Sequence, residues 1–280
     1  MARRLSRSRP DPILLLKMTP GVATEARALA GKGSTADLGR RAGPRGLRQK
    51  DVLVIHDSRK PDTFVRGRER LDLATESGRA RFIEILRLPA ARAKLVQRSL
   101  AKADDDARDE LAQLARLLAW AERGQGPAPR RIVLSGHAAY RGVRGEYDGR
   151  SQNGAVRLDD LKRLMQAFPT AAGQVRHLMI AACFVVGSGD LDGYREIFPN
   201  LVDVAGYGAK APSSRSPQSA LHLRRWARAT RRRGDAPLTR AEVFGRCARA
   251  EPAETRRASH RAYHATLITA KRGAERCPTR

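Results

Sequence analysis

The sequence predicts an α/β fold built on parallel strands, and three observations carry that reading. Short continuous apolar runs recur, among them Arg131-Ile132-Val133-Leu134 and the segment VRHLMIAA from Val175 to Ala182, as buried strands require. Stretches with apolar residues three and four positions apart alternate with those runs, the spacing of amphipathic helices. Between the two runs just named the order is strand, loop, helix, strand. A crossover of that length makes the strands parallel, with the helix over one face.

Taken in order, residues 1–11 are polar and contain Pro10, and read as a loose tail. Ile13 to Leu16 is a short buried strand, followed by a helical stretch near Thr24 to Ala30. Gly31 to Lys50, rich in Gly and Arg around Pro44, reads as a surface connection, and Asp51 to His56 as a second strand. After a Pro-containing loop, Phe82, Ile85, Leu86 and Leu88 mark a helix that Pro89 ends or kinks. A long helical stretch runs from about Ala91 to Glu122, with Leu111, Leu114, Leu117, Leu118 and Ala121 on one face, and Gly124 to Pro129 stops it. The strand from Arg131 ends in Ser135-Gly136-His137, and a Gly directly after a strand lets the backbone turn sharply, so His137 stands at a strand's C-terminal end. A Gly-rich loop continues through Gly154. Leu158, Leu161, Leu164, Met165 and Phe168 then mark a helix whose first turn carries Asp159 and Asp160, as the helix dipole favours, and Pro169 closes it. Val175 to Ala182 delivers Cys183 at its own C-terminal end. Leu201 to Tyr207 is a further core strand, Leu221, Trp226 and Ala229 mark a helix, and Glu242 to Arg280 has a helical pattern. The expected division is a tail over 1–11, an α/β domain over 12–235 with its best support across 131–230, and a C-terminal helical extension over 236–280 packed on the domain.

A chain of 280 residues can bury the core of one large domain. Its formal net charge of +26 attracts polyanions such as nucleic acid or acidic membrane surfaces. Arg is nevertheless spread from Arg3 to Arg280, the dispersion that codon bias alone produces, so nucleic acid is a partner the charge permits and not the one favoured. Around Trp226, Arg224, Arg225, Arg228, Arg231, Arg232 and Arg233 form either a solvated basic face or a phosphate-contacting one. The three cysteines, Cys183, Cys247 and Cys277, are too few and odd in number for a disulfide framework, and a reducing, cytoplasmic setting is expected. No apolar run approaches the roughly 18 residues that span a bilayer, so no membrane span is expected. Ile13 to Leu16 is too short for a signal-peptide core, although the Arg/Ser-rich start also resembles an organelle transit peptide.

If the strands that end at His137 and Cys183 are neighbours, the two side chains leave the carboxyl edge about 5 Å apart in the pairing direction, where α/β sheets place their chemistry. A thiolate is a strong nucleophile, and an adjacent imidazole both promotes its ionisation and carries a proton to a leaving amine. The backbone N–H groups of Ala138 and Cys183 are the candidates to meet a developing oxyanion. His260 and His264 stand one turn apart but lack a Glu beside the first and a third ligand nearby, so neither a metal nor another cofactor is expected. Cys247 and Cys277 read as structural or incidental.

The segments IVLSGH and LMIAAC resemble the His and Ala-Cys strand-end motifs of the caspase-like cysteine peptidases, the superfamily of caspases, metacaspases, legumains, gingipains and clostripain, over about residues 131–230. The separation of His137 from Cys183 is also close to the roughly 50 positions found in caspases. The resemblance implies a mainly parallel sheet flanked by helices on both faces, a His137/Cys183 dyad, and endopeptidase activity on a protein or peptide substrate. It further implies that Gly208 to Pro217 shapes the pocket for the residue before the cleaved bond, with Asp190, Tyr207 and Gly208 as substrate-binding candidates. Asp190, Asp192 and Asp203 are carboxylates that select a basic residue there or are plain solvated charges. The loop Gly187-Ser188-Gly189-Asp190 is either a mobile cleft lining or an ordinary surface loop. One position departs from the pattern: superfamily members commonly place Gly directly after the catalytic His, whereas this chain has Ala138 there and Gly136 before it. Ala keeps the N–H and narrows the allowed backbone angles. That departure and the charge motivate a second reading, a catalytically silent, basic adaptor for protein or nucleic acid. A third is another thiol hydrolase or acyltransferase on a similar sheet.

Overall fold

A computed structural model describes residues 11–19, 22–38, 47, 50–56, 61–139, 142–145, 154–183, 190–208, 210–245, 265–269 and 273–275. In chain order, β1 (Ile13–Lys17) leads through α1 (Val22–Ala30) to β2 (Thr35–Asp37) and β3 (Val52–His56). A hairpin of β4 (Thr63–Arg66) and β5 (Glu69–Asp72) precedes α2 (Glu76–Leu86), α3 (Ala90–Lys102) and α4 (Arg108–Glu122). Next come β6 (Arg131–Ser135), the short strands β7 (His137–Ala139), β8 (Gly142–Arg144) and β9 (Ala155–Arg157), then α5 (Leu158–Gln166), α6 (Pro169–Ala172) and β10 (His177–Ala181). The chain continues with α7 (Asp190–Arg195), β11 (Asp203–Tyr207), α8 (Pro217–Arg233), α9 (Arg240–Phe244), β12 (Ala265–Thr269) and β13 (Gly273–Glu275).

The main sheet has eight strands in the order β13-β12-β11-β10-β6-β1-β3-β2. From β2 to β11 every pair is parallel, and β12 and β13 add on antiparallel. The α/β class and its parallel centre are therefore as the sequence predicts. Strand alternation divides the core. Leu14, Leu16, Leu53, Ile55, Ile132, Leu134, Leu178 and Ile180 pack towards α2, α3, α4, α5 and α6. Ile13, Leu15, Val52, Val54, Val133 and Met179 pack towards α1, α8 and α9 on the other face. Both faces are covered, which is why these strands read as unbroken apolar runs. Each fully buried aliphatic side chain contributes about 1.5–3 kcal/mol.

Several expectations are corrected. The long helix expected from Ala91 to Glu122 is two helices, because Ala103 is extended (φ −67°, ψ 152°) and Asp106 adopts a left-handed φ of 65°. Pro169 opens α6 instead of closing α5, which has already ended at Gln166; a fixed proline φ suits a first helical turn. The Gly31 to Lys50 connection contains the edge strand β2, and the Gly-rich stretch after His137 contains the three-stranded sheet β7-β8-β9. The 236–280 region is not a helical extension: its described part holds the short α9 and then two strands that lengthen the main sheet, so the sheet does not stop at residue 235. Among the described residues, no helix is long and apolar enough to cross a membrane.

Candidate active site

β6 and β10 are neighbours, paired in parallel from Arg131 opposite His177 to Ser135 opposite Ala181. Gly136 N–H extends the ladder by one step, to the Ala181 carbonyl at 3.4 Å. His137 lies two residues past Ser135 and Cys183 two past Ala181, so both follow closely on the carboxyl ends of neighbouring strands.

At Gly136 the chain leaves the sheet. A Cβ there would meet the Arg144 carbonyl at 2.6 Å, Met18 Cβ at 3.2 Å and Val143 Cβ at 3.3 Å, so the close approach of β8 and the β1 end requires glycine. His137 then opens β7 opposite Arg144 and is exposed, while Ala138 sits opposite Val143 with its methyl half-buried against the core. Cys183 is a partly exposed free thiol, and its Sγ accepts the Ala211 N–H at 3.2 Å. Ala211 packs on the α1/α8 side of the sheet, as does Ala181, so the sulfur follows the strand's alternation onto that face. Exposed Arg144 stands opposite His137, and exposed Lys210 directly precedes Ala211.

The substrate-binding candidates separate. Tyr207 is withdrawn from any cleft: it is buried, its hydroxyl lies 2.7 Å from His222 Nδ1, and its ring meets Phe244 edge-on at 5.7 Å. The physical reason is alternation, which turns Tyr207 inward towards α8. Burial, with Arg225 and Arg240 nearby, pushes the His222 pKa down to about 4, so this inner pair is neutral. Gly208 is exposed just beyond the end of β11, the strand that pairs with β10. Asp203 is corrected too: it starts β11 at the amino edge, fully buried, where it pairs with His177 and accepts the Leu238 N–H at 3.1 Å. The backbone of Asp190 opens α7, and its side chain and that of Asp192 lie outside the described part of the molecule. Gly187, Ser188, Gly189, Cys247, His260, His264 and Cys277 also lie outside the described residues.

The sequence reading missed a buried polar cluster of Lys17, Glu25, Ser135 and Thr19 beneath this edge. Its signal was present: Lys17 continues the inward series Ile13, Leu15, and a charge in an inward position needs a partner. No protein-family model matches this chain, and no curated protein is significantly similar to it.

Proposed function

We propose that the chain is a caspase-like cysteine endopeptidase acting on a protein or peptide substrate in a reducing compartment. The observation that supports this is the β6/β10 register, which ends with Ser135 opposite Ala181 and so leaves His137 and Cys183 each two residues beyond that last pair, past the carboxyl edge. In the proposed reaction His137 takes the thiol proton, and the Cys183 sulfur forms a bond to the scissile carbonyl carbon. The N–H groups of Cys183 and Ala138 receive the charge that moves to the carbonyl oxygen. Collapse breaks the C–N bond as His137 returns the proton to the leaving amine. Water, giving a proton to His137, then attacks the thioester, releases the acid and restores the thiol. The Ala211 N–H on the sulfur supports the reading, since a donor there bonds more strongly to a thiolate than to a thiol.

The test is mass spectrometry after brief exposure to a limiting alkylator near neutral pH, comparing the native chain with His137→Ala. The expected result is labelling of Cys183 ahead of Cys247 and Cys277, slowed at least tenfold in the variant. Labelling of Cys183 no faster than the other two, or unaffected by the substitution, overturns the dyad.

One observation favours the second reading, a silent basic adaptor. Arg224, Arg228 and Arg231 are exposed along one face of α8, and among the described residues no carboxylate meets them. The nearby acids are engaged elsewhere, Glu242 by Arg232 and Arg233 and Asp235 by Arg130 and Arg176.

A further inference from the structure

The connections of the sheet reverse direction between β1 and β6: from β1 the chain moves out to the edge strand β2 and back one place to β3, and from β6 it moves the other way to β10 and β11. Open α/β sheets use the carboxyl end of such a point for binding and chemistry. Here the space just below it is filled by charge. Lys17, the last residue of β1, and Glu25, on α1, are 0% and 1% exposed and lie 3.2 Å apart (Nζ to Oε2). Lys17 Nζ also donates to Thr19 Oγ1 at 2.8 Å and to Ser135 Oγ at 3.2 Å, and Ser135 Oγ donates to Glu25 Oε1 at 3.0 Å. The ammonium thus has two hydroxyl acceptors beside the Glu25 carboxylate, and the Ser135 hydroxyl both gives and receives.

Folding alone does not account for this arrangement. A buried ion pair must overcome the desolvation of both charges, and apolar residues of similar volume generally hold a core as well or better. Ile13 and Leu15, which precede Lys17 on the same face, show what that position otherwise holds. What the cluster provides instead is direction. Ser135 is gripped through its side chain by Lys17 and Glu25 and through its carbonyl by the Met18 N–H at 2.8 Å. The next residue, Gly136, is wedged between Met18 and β8, and the one after it is His137.

We propose that Lys17, Glu25 and Ser135 are positioning residues for His137: they lock the end of β6, so that the turn at Gly136 presents the imidazole towards Cys183 in one geometry. This rests on the His137/Cys183 reading. In this proposal the cluster acts by geometry, and its effect on the thiol passes through His137.

That last property gives the test, a double-mutant cycle read as the rate of Cys183 alkylation across pH. The forms compared are the native chain, His137→Ala, the apolar replacement Lys17→Met with Glu25→Leu, and the combination of all three. The apolar replacement is expected to keep the native circular dichroism and melting temperature, to slow labelling near neutral pH at least fivefold, and to move the pH profile towards that of His137→Ala. In the His137→Ala background it should add nothing. Ser135→Ala, a smaller change, should act in the same direction and serves if the apolar pair does not fold. Native labelling in both variants, or equal slowing with and without His137, overturns the proposal and leaves the dyad standing. If His137→Ala itself has no effect on the native chain, the dyad falls and the positioning role with it.

Discussion

His177 sits between two groups that can only accept. Its Nδ1 is 3.0 Å from an Asp203 carboxylate oxygen and its Nε2 is 2.6 Å from the Gly234 carbonyl, with the ring almost wholly buried. Only the doubly protonated ring donates at both nitrogens. Burial opposes that charge, but the hydrogen bond and charge of Asp203, with the Gly234 carbonyl, outweigh it, and the pKa is raised above 6.5. A raised folded-state value gives stability that is fully present below the unfolded value and is lost as pH rises through the folded one. A tenfold gain in proton affinity on folding is worth about 1.4 kcal/mol. The melting temperature of the native chain should therefore exceed that of His177→Gln by more at pH 6 than at pH 9, and an equal margin at both would show a neutral ring. At this scale, the positions of His137 and Cys183 just past the ends of β6 and β10 could be read from the sequence because local apolar runs mark those strands. Lys17 with Ser135, and His177 with Asp203 and Gly234, could not, because each pairing depends on which strand or turn lies alongside, and no local pattern records that.

Among the elements, the ones recovered from the sequence are those whose signal is local and continuous: β1, β3, β6, β10 and β11 as apolar runs, α5 and α8 as periodic ones. The break between α3 and α4 escaped because apolar residues recur on both sides of it, and the cause is a contact far along the chain. Arg108 at the start of α4 places its guanidinium 2.7 Å from Asp62 and 2.9 Å from Asp105, and its backbone N–H 3.2 Å from Asp62. Both Arg108 and Asp62 are about nine-tenths buried. Charged hydrogen bonds of this kind are worth roughly 1.5–3 kcal/mol. Arg108→Ala should lower the unfolding free energy by about that much in a denaturant titration; a loss near zero would mean that the break is held by the backbone alone. The C-terminal strands escaped for a related reason: Thr266, Leu267, Ile268 and Thr269 are good strand formers, but β12 forms only against the waiting edge of β11.

For the whole molecule the dominant quantity is the charge of +26. The exposed arginines of α8 work against the helix, since like charges at i and i+4 cost about 0.2–0.5 kcal/mol each. If that face meets nucleic acid, binding to a duplex oligonucleotide should weaken linearly in the logarithms of affinity and salt concentration. Replacing Arg224, Arg228 and Arg231 by Gln should then flatten the slope by roughly 1 per arginine. An unchanged slope would assign the binding to charge spread over the whole surface. The sheet has a different whole-molecule consequence. β6 and β10 each have a bonded strand on both sides and a helical layer over each face, whereas β2 closes the sheet at an edge. Amides in such interior strands exchange with solvent only when the entire domain opens. The frame from which His137 and Cys183 project, β6 and β10, is therefore among the last parts of the molecule to yield its protons to deuterated water.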